Sequence, residues 1–258
     1  MLVNYFIVFV FGAIIGSFLN VCIYRLPRGK SIVWPPSYCP HCEKKIPWLE
    51  NFPIISYFLL RGKCGRCDEK ISVRYPIVEV LTGLLFLSVP VILGFGVWSL
   101  EFYFSAAFIS FLILNFFSDL ETELIPDSPI YIIIFIGLFY SFTKGGIISS
   151  LVGIILGFFI LYSIGLLGKL FYKKDVLGDG DVKLATAFGA FLGWQGLLVS
   201  LLLGYIIGGT ISLFLVLTKT KTLKDYIPFA PSLTLGALIT LYYGSHIINF
   251  YVANFLLN

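Results

Sequence analysis

Two stretches of this chain concentrate carboxylates where the sequence is otherwise apolar. "NFFSDLETELIPDSP", residues 115–129, carries Asp119, Glu121, Glu123 and Asp127, and "LGDGDVKL", residues 177–184, carries Asp179 and Asp181, each preceded by a glycine, with Asp175 just upstream. Two aspartates brought together can do definite chemistry. At about 4 Å and an effective dielectric of about 20, like charges repel by roughly 4 kcal/mol, so one carboxyl stays protonated while the other is ionised. The ionised one draws a proton from a bound water; the protonated one hydrogen-bonds a scissile carbonyl oxygen and then supplies the leaving amine. No covalent intermediate is needed, and no Ser-His or Cys-His pair presents itself, since His246 lies in the last apolar run and His41 in a cysteine-bearing loop. Nor is this a nucleotide site, because there is no Gly-x-x-x-x-Gly-Lys-Ser/Thr and the cluster is negative where phosphate needs positive charge.

Asp119 stands apart from its neighbours. It follows an unbroken apolar run from Phe102 to Phe117 and so falls at or just inside a membrane interface, where an ionisable group is expensive and usually functional. Asp127 or Ser128 reads as a helix N-cap, with Pro129 in the first turn, where a missing N–H costs nothing. Glu121 and Glu123 read as solvated charge or as attractors of a basic ligand. On local sequence alone, Asp179 or Asp181 could simply cap the helix that follows. The glycines flanking Asp179 remove side chains and open backbone conformations, so a peptide backbone could approach Asp181 closely.

A second constellation lies between the first two apolar runs. Cys39-Pro40-His41-Cys42 is followed, 21 residues later, by Cys64-Gly65-Arg66-Cys67, two knuckles of the kind that wrap a tetrahedral zinc ion. Two disulfides or unmetallated thiols are the alternatives, and a reducing cytosol disfavours the first. Four thiolates close the coordination shell. The zinc would therefore be structural, holding together a loop of about fifty residues with little core of its own. His41 reads as a bystander and Cys22, inside the first apolar run, as a packing residue.

The elements that must position these groups belong to a membrane. The chain is 58% hydrophobic and 12% charged with a mean hydropathy of +0.94, against about 25% charged residues in soluble domains. Crossing about 30 Å of hydrocarbon takes about 20 apolar residues. The runs near 2–24, 76–98, 102–118, 127–143, 147–168, 183–195, 197–218 and 228–256 predict an all-α polytopic protein of about eight transmembrane helices, with a small cytoplasmic four-cysteine zinc-binding loop domain. The sixth run is short, and Gly193-Trp194-Gln195-Gly196 could instead be the tip of a re-entrant hairpin, which would leave seven. Met1-Leu2-Val3-Asn4 has no basic n-region and the first run is too long for a cleaved h-region, so it reads as a retained span. Residues 25–75 hold ten Lys/Arg against four Asp/Glu, a balance of +6 in a chain of net charge +4. Loops rich in Lys and Arg stay cytoplasmic, which puts 25–75, 119–126, 169–182 and 219–226 on that side. Topology thereby brings Asp119 to the same face as Asp179 and Asp181, although about sixty residues separate them.

Taken together these segments resemble the type IV prepilin peptidases, along almost the whole chain. "GAIIGSFLNVCIYRLPRG" (12–29) resembles that family's opening span, and "YCPHCEKKIPWLENFPIISYFLLRGKCGRCDEKISVRYPIVEVLTG" (38–83) its four-cysteine domain. "SDLETELIPD" and "GDGDVKLATAFGAFLGW" resemble its two aspartate motifs, and "IPFAPSL" (227–233) a late Pro-Phe-Gly-Pro element, with Ala230 in place of the usual Gly. Pro129 is a second departure, and neither touches the chemistry. The resemblance implies that Asp119 and Asp181 are the catalytic pair, with Asp127 and Asp179 in the motifs but outside the pair. It implies Cys39, Cys42, Cys64 and Cys67 as zinc ligands. The implied division is a first transmembrane helix (1–24), a methyltransferase-associated cysteine domain (25–75) and a transmembrane peptidase domain (76–258). The implied partners are the lipid bilayer of a prokaryotic cytoplasmic membrane and prepilin or pseudopilin substrates, not nucleic acid. The implied reaction cleaves a prepilin after the glycine ending its short basic leader, then methylates the new amino terminus, often Phe, from S-adenosylmethionine. No stretch resembles a Rossmann or S-adenosylmethionine fold, so the methyl transfer rests on resemblance alone. A polytopic cation or proton transporter with a zinc docking loop is the competing reading; it predicts acidic residues near the bilayer midplane.

Overall fold

The computed structural model describes residues 2–173, 177–222, 225 and 227–256. The regular structure of these residues is helical, and their β pairing is confined to two single-residue bridges, Tyr38 with Lys45 and Lys63 with Lys70. The helices are α1 Leu2–Arg25, α2 Ile55–Leu59, α3 Arg74–Ile92, α4 Leu100–Thr122, α5 Asp127–Thr143, α6 Ile147–Tyr172, α7 Asp179–Leu217 and α8 Ala230–Tyr251. Among the described residues, five helices are long and apolar enough to cross a membrane, namely α1, α3, α4, α6 and α7, and α5 is a shorter apolar helix. That is a multi-pass membrane protein. Five differs from the eight predicted runs for physical reasons. α7 takes in both the sixth and seventh runs, α5 has 17 residues, and Thr234, Thr240, His246 and Asn249 lower the hydropathy of α8.

The chain divides into two compact units, Met1–Leu114 and Asn115–Asn258, so α4 begins in one and ends in the other. In the first unit α1 packs along α3. Gly12 and Gly16, one turn apart, let the backbones touch: a Cβ on Gly12 would lie 2.8 Å from Gly83 Cα, the small-xxx-small device of helices that lack a hydrophobic drive to associate. Trp98 meets Phe11 at 5.7 Å and Phe102 at 5.5 Å between ring centroids, closing that end of the unit with edge-on aromatic pairs. At the other end the buried Arg25 guanidinium donates to the carbonyls of Ser31, Pro35 and Pro36. These bonds compensate its burial and fasten the start of the cysteine loop.

In the second unit α7 is the hub, packing on α5, α6 and α8. It is not straight. Gly193 has φ 72° and ψ 175°, a backbone open to glycine and strained for any other residue, and there the chain turns back. The first arm, 179–192, packs on α6, where a Cβ on Gly153 or Gly157 would come within 2.5 Å of the Gly189 or Ala185 carbonyl oxygen. It also packs on α5, where a Cβ on Gly137 would come within 2.9 Å of the Ala190 backbone. The second arm, 194–217, packs on α8, with Gly204 against Leu233 and Gly208 against Phe229. Asp181 and Tyr205 each stand twelve residues from Gly193. At 1.5 Å per residue each arm carries its residue about 18 Å from the turn, which brings the two to the same depth.

Candidate active site

The last turn of α4 carries Asp119 and the first turn of α7 carries Asp181. Both are deeply buried, at 3% and 5% exposure. α4 runs past the predicted end of its apolar run, so Asp119 sits inside the helix, and its carbonyl accepts the Glu123 N–H at 2.9 Å. The chain then turns at Glu123, φ 54°, and the Ser118 hydroxyl ties the turn by donating to the Leu124 carbonyl at 2.7 Å. Ile125 continues from this turn into the head of α7. A Cβ on Gly180 would lie 2.8 Å from Ile125 Cδ1. The glycine between the two aspartates of α7 therefore admits a side chain of this protein, a use that sequence spacing alone did not reveal.

The two carboxylates lie within electrostatic reach of each other. Asp181 accepts a hydrogen bond from the N–H of Gly178, the N-cap of α7. That is half of a capping box, in which the third helical residue reaches back to the cap. Capping and pair formation thus fall to one residue. Asp119 accepts from the N–H of Ala230, the first residue of α8, whose helix dipole also favours negative charge there. Because the contact uses backbone, alanine serves where the resembled motif has glycine. Asp119 Oδ2 is buried with no hydrogen-bond partner. Such an atom normally has one, and a water or a substrate group would satisfy it.

The other carboxylates are placed differently. Asp179 is exposed beside Lys183, and Asp127 pairs with Lys183 at 2.5 Å on the surface. The predicted capping by Asp127 or Ser128 is not made: α5 starts at Asp127, Pro126 holds the cap position, and no side chain caps it. Glu121 and Glu123 are exposed, the latter close enough to Asp119 to act on its charge. Asp175 lies outside the described residues. Sequence reasoning missed Tyr205, half-exposed, which packs on Phe229 with ring centroids 5.0 Å apart and stands within electrostatic reach of Asp181. The signal that could have found it is the equal count of residues on either side of Gly193.

In the first unit the Sγ atoms of Cys39, Cys42, Cys64 and Cys67 all lie within 4.8 Å of one another, and His41 is not among them. Cys39 and Cys67 are 3.9 Å apart and unbonded. The two knuckles repeat one design. Each first cysteine's N–H is taken by a carbonyl five residues on, Lys44 or Glu69, at 3.0 and 2.8 Å. Each second cysteine is followed by a residue of positive φ, Glu43 at 56° or Asp68 at 57°. The Arg66 N–H holds the Cys64 thiol down to about 7. Four thiols gathered at this spacing fit a tetrahedral metal.

Comparison with known proteins gives the chain its family. Residues 10–93 match the family model described as the bacterial peptidase A24 N-terminal domain, and residues 106–213 that of the type IV leader peptidase family. A protein of Aeromonas hydrophila named prepilin leader peptidase/N-methyltransferase is 36% identical over 97% of this chain and 94% of its own length. Proteins of the same name are 34% identical in Legionella pneumophila, over 96% of this chain and 94% of theirs, and in Neisseria gonorrhoeae, over 89% and 87%. No solved structure matches the chain significantly. With two buried carboxylates within reach of each other and two matching family models that together span most of its length, this chain belongs to the type IV leader peptidase family.

Proposed function

We propose that this protein cleaves the basic leader from type IV prepilins or pseudopilins at the cytoplasmic membrane interface, with Asp119 and Asp181 as its aspartyl pair, and then N-methylates the new amino terminus from S-adenosylmethionine. The observation that carries the cleavage is the burial of two carboxylates side by side, with one oxygen of Asp119 unpartnered. A water held between them loses a proton to the ionised carboxylate and adds to the scissile carbonyl. The protonated carboxyl hydrogen-bonds that carbonyl's oxygen and then protonates the leaving amine. The backbone N–H groups of Gly178 and Ala230 each hold one carboxylate of the pair, so neither needs a third side chain to position it.

A prepilin's apolar helix lies in the bilayer while its basic leader remains in the cytoplasm, so the scissile bond sits at interface depth, as the predicted topology of eight spans puts Asp119 and Asp181. Glu121 and Glu123, with Asp175, attract the leader. Cys39, Cys42, Cys64 and Cys67 would hold zinc, whose part is to fix the loop and not to enter the reaction. The transporter reading loses its support, because the curated relatives carry the names of processing enzymes.

The test is cleavage of a prepilin in liposomes by wild type, Asp119→Asn and Asp181→Asn, with labelled methyl transfer followed on a pre-cleaved substrate. Each variant is expected to lose at least about a hundredfold in kcat, the usual worth of positioned acid–base groups, while methylation persists. Cleavage by both variants at the wild-type rate would show that the pair is misassigned.

A further inference from the structure

The methyl-transfer half of this reading has no residue assigned to it, and the first unit holds a buried carboxylate that the peptidase chemistry does not use. Glu79, on the face of α3 that meets α1, is 7% exposed. Gly16 of α1 clears the space opposite: a Cβ there would lie 2.8 Å from Glu79 Cα and 3.0 Å from Thr82 Oγ1. Two donors reach the carboxylate, the Ile54 backbone N–H at 2.7 Å from Oε2 and the Ser17 hydroxyl. One turn further along the same antiparallel seam lies Asn20, 1% exposed. Its Nδ2 donates to the Tyr75 carbonyl at 3.1 Å, and its Oδ1 is buried with no partner. Among the described residues no Lys or Arg forms an ion pair with Glu79. The seam therefore presents a carboxylate with no ion-pair partner among the described residues and, one turn on, an amide oxygen with no donor; of the cations at this end, Arg25 is committed to the carbonyls of Ser31, Pro35 and Pro36 and Arg74 lies over the Tyr75 ring.

The loop above this seam is held in an unusual way. Ile54 has φ 66° and ψ −55°, and the Ile55 N–H closes on the Pro53 carbonyl at 2.6 Å. This is a γ-turn of the positive-φ kind, strained for any residue and more so for a β-branched one. Strain of this sort persists where the surroundings over-determine it, and it gathers at ligand clamps and active sites. A neutral amide would accept the Ile54 N–H equally well. A buried carboxylate is a costlier choice, and it answers a cation.

We propose that Glu79 and Asn20 hold the primary ammonium of the processed pilin's first residue, and that Glu79 takes the proton this ammonium must lose before it can accept a methyl group. An ammonium brings one charge and three donors, which match the carboxylate oxygens and Asn20 Oδ1. The ammonium gives one proton to the carboxylate. The freed nitrogen lone pair then forms the N–C bond while the C–S bond of the sulfonium donor breaks, its electron pair staying on sulfur. The product is a secondary ammonium and a thioether, and the proton on Glu79 passes to water. Such a base is useful because a free α-amino group, with a pKa of about 7.7–8.0, is mostly protonated at neutral pH. The inference rests on the methyltransferase reading given above.

The experiment uses the full-length protein in detergent micelles with a mature-pilin peptide carrying a free N-terminal Phe, and the same peptide N-acetylated. Methyl incorporation from labelled S-adenosylmethionine is followed from pH 6 to 9, and peptide binding is measured without the donor. Glu79→Gln keeps an acceptor for the Ile54 N–H but not the charge, and its cleavage of prepilin reports that the protein has folded. It is expected to lose at least about tenfold in methylation kcat/KM at pH 7, to recover part of it at pH 9 as the amine deprotonates unaided, and to lose the preference for free over acetylated peptide. Asn20→Leu should raise the KM for the free-amine peptide, and should do so even if Glu79→Gln fails to fold. The proposal is overturned if Glu79→Gln methylates with the wild-type pH profile, if it loses activity equally at every pH with binding preference unchanged, or if Asn20→Leu leaves KM unchanged. If wild type transfers no methyl group, the methyltransferase reading itself has failed, and this inference with it.

Discussion

At the scale of single residues, what separates the carboxylates of this chain is what surrounds them. Asp119 and Asp181 are buried against backbone donors, whereas Asp127 meets Lys183 with both side chains about half exposed. Exposed pairs of this kind contribute 0–1 kcal/mol. Lys183→Ala is therefore expected to shift the melting temperature little and to leave prepilin cleavage within about twofold, as paired melting and activity curves would show. Glu121→Gln with Glu123→Gln, joined by Asp175→Asn, should raise KM for a basic-leader substrate and flatten its salt dependence; kinetics unchanged at low salt would remove their part in recruitment. Tyr205 packs at a tilt against Phe229, one residue before the Ala230 N–H that holds Asp119. Tyr205→Ala should destabilise by about 1 kcal/mol, the scale of an aromatic pair, while Tyr205→Phe keeps the ring contact. The aspartate motifs were legible in sequence because a carboxylate at the end of an apolar run is costly and needs a reason. Tyr205 was not, because an aromatic residue among apolar ones carries no such mark.

At the scale of elements, small residues decide how closely the helices approach. Gly157 lies against the Ala185 carbonyl, with room for no more than hydrogen, while nothing lies within 4 Å of where a Cβ on Gly209 would stand. Gly157→Leu is expected to separate α6 from α7 and lower both yield and melting temperature steeply, and Gly209→Leu to be nearly neutral. Equal effects would show that these glycines matter for helix propensity, not for packing. The helices themselves were legible from apolar runs, and so was the break at Gly193, because a Gly-Trp-Gln-Gly interval interrupts the sixth and seventh runs. Their ends were not. α4 extends to Thr122 and α7 starts at Asp179, since charged residues at an interface continue a helix that hydropathy alone would stop. Nor could spacing tell that Pro126 would take the cap position expected of Asp127, because the fold recruits that carboxylate to Lys183 instead.

At the scale of the whole molecule, the cysteine knuckles and the aspartyl pair belong to different compact units. A metal-stripped protein should accordingly lose protease resistance within residues 30–72 first, and keep prepilin cleavage longer than methylation. Simultaneous loss of both activities on chelation would argue that the units are not energetically separate. The arrest and return of α7 at Gly193 also has an arithmetic consequence. On the predicted count of eight spans, turning back adds one passage and makes the number from α1 to α8 even instead of odd. Even parity returns the polypeptide to the compartment in which it began. Reporter domains fused ahead of Leu2 and after Tyr251 should therefore be active in the same compartment, and one fused within 219–226 in the opposite one.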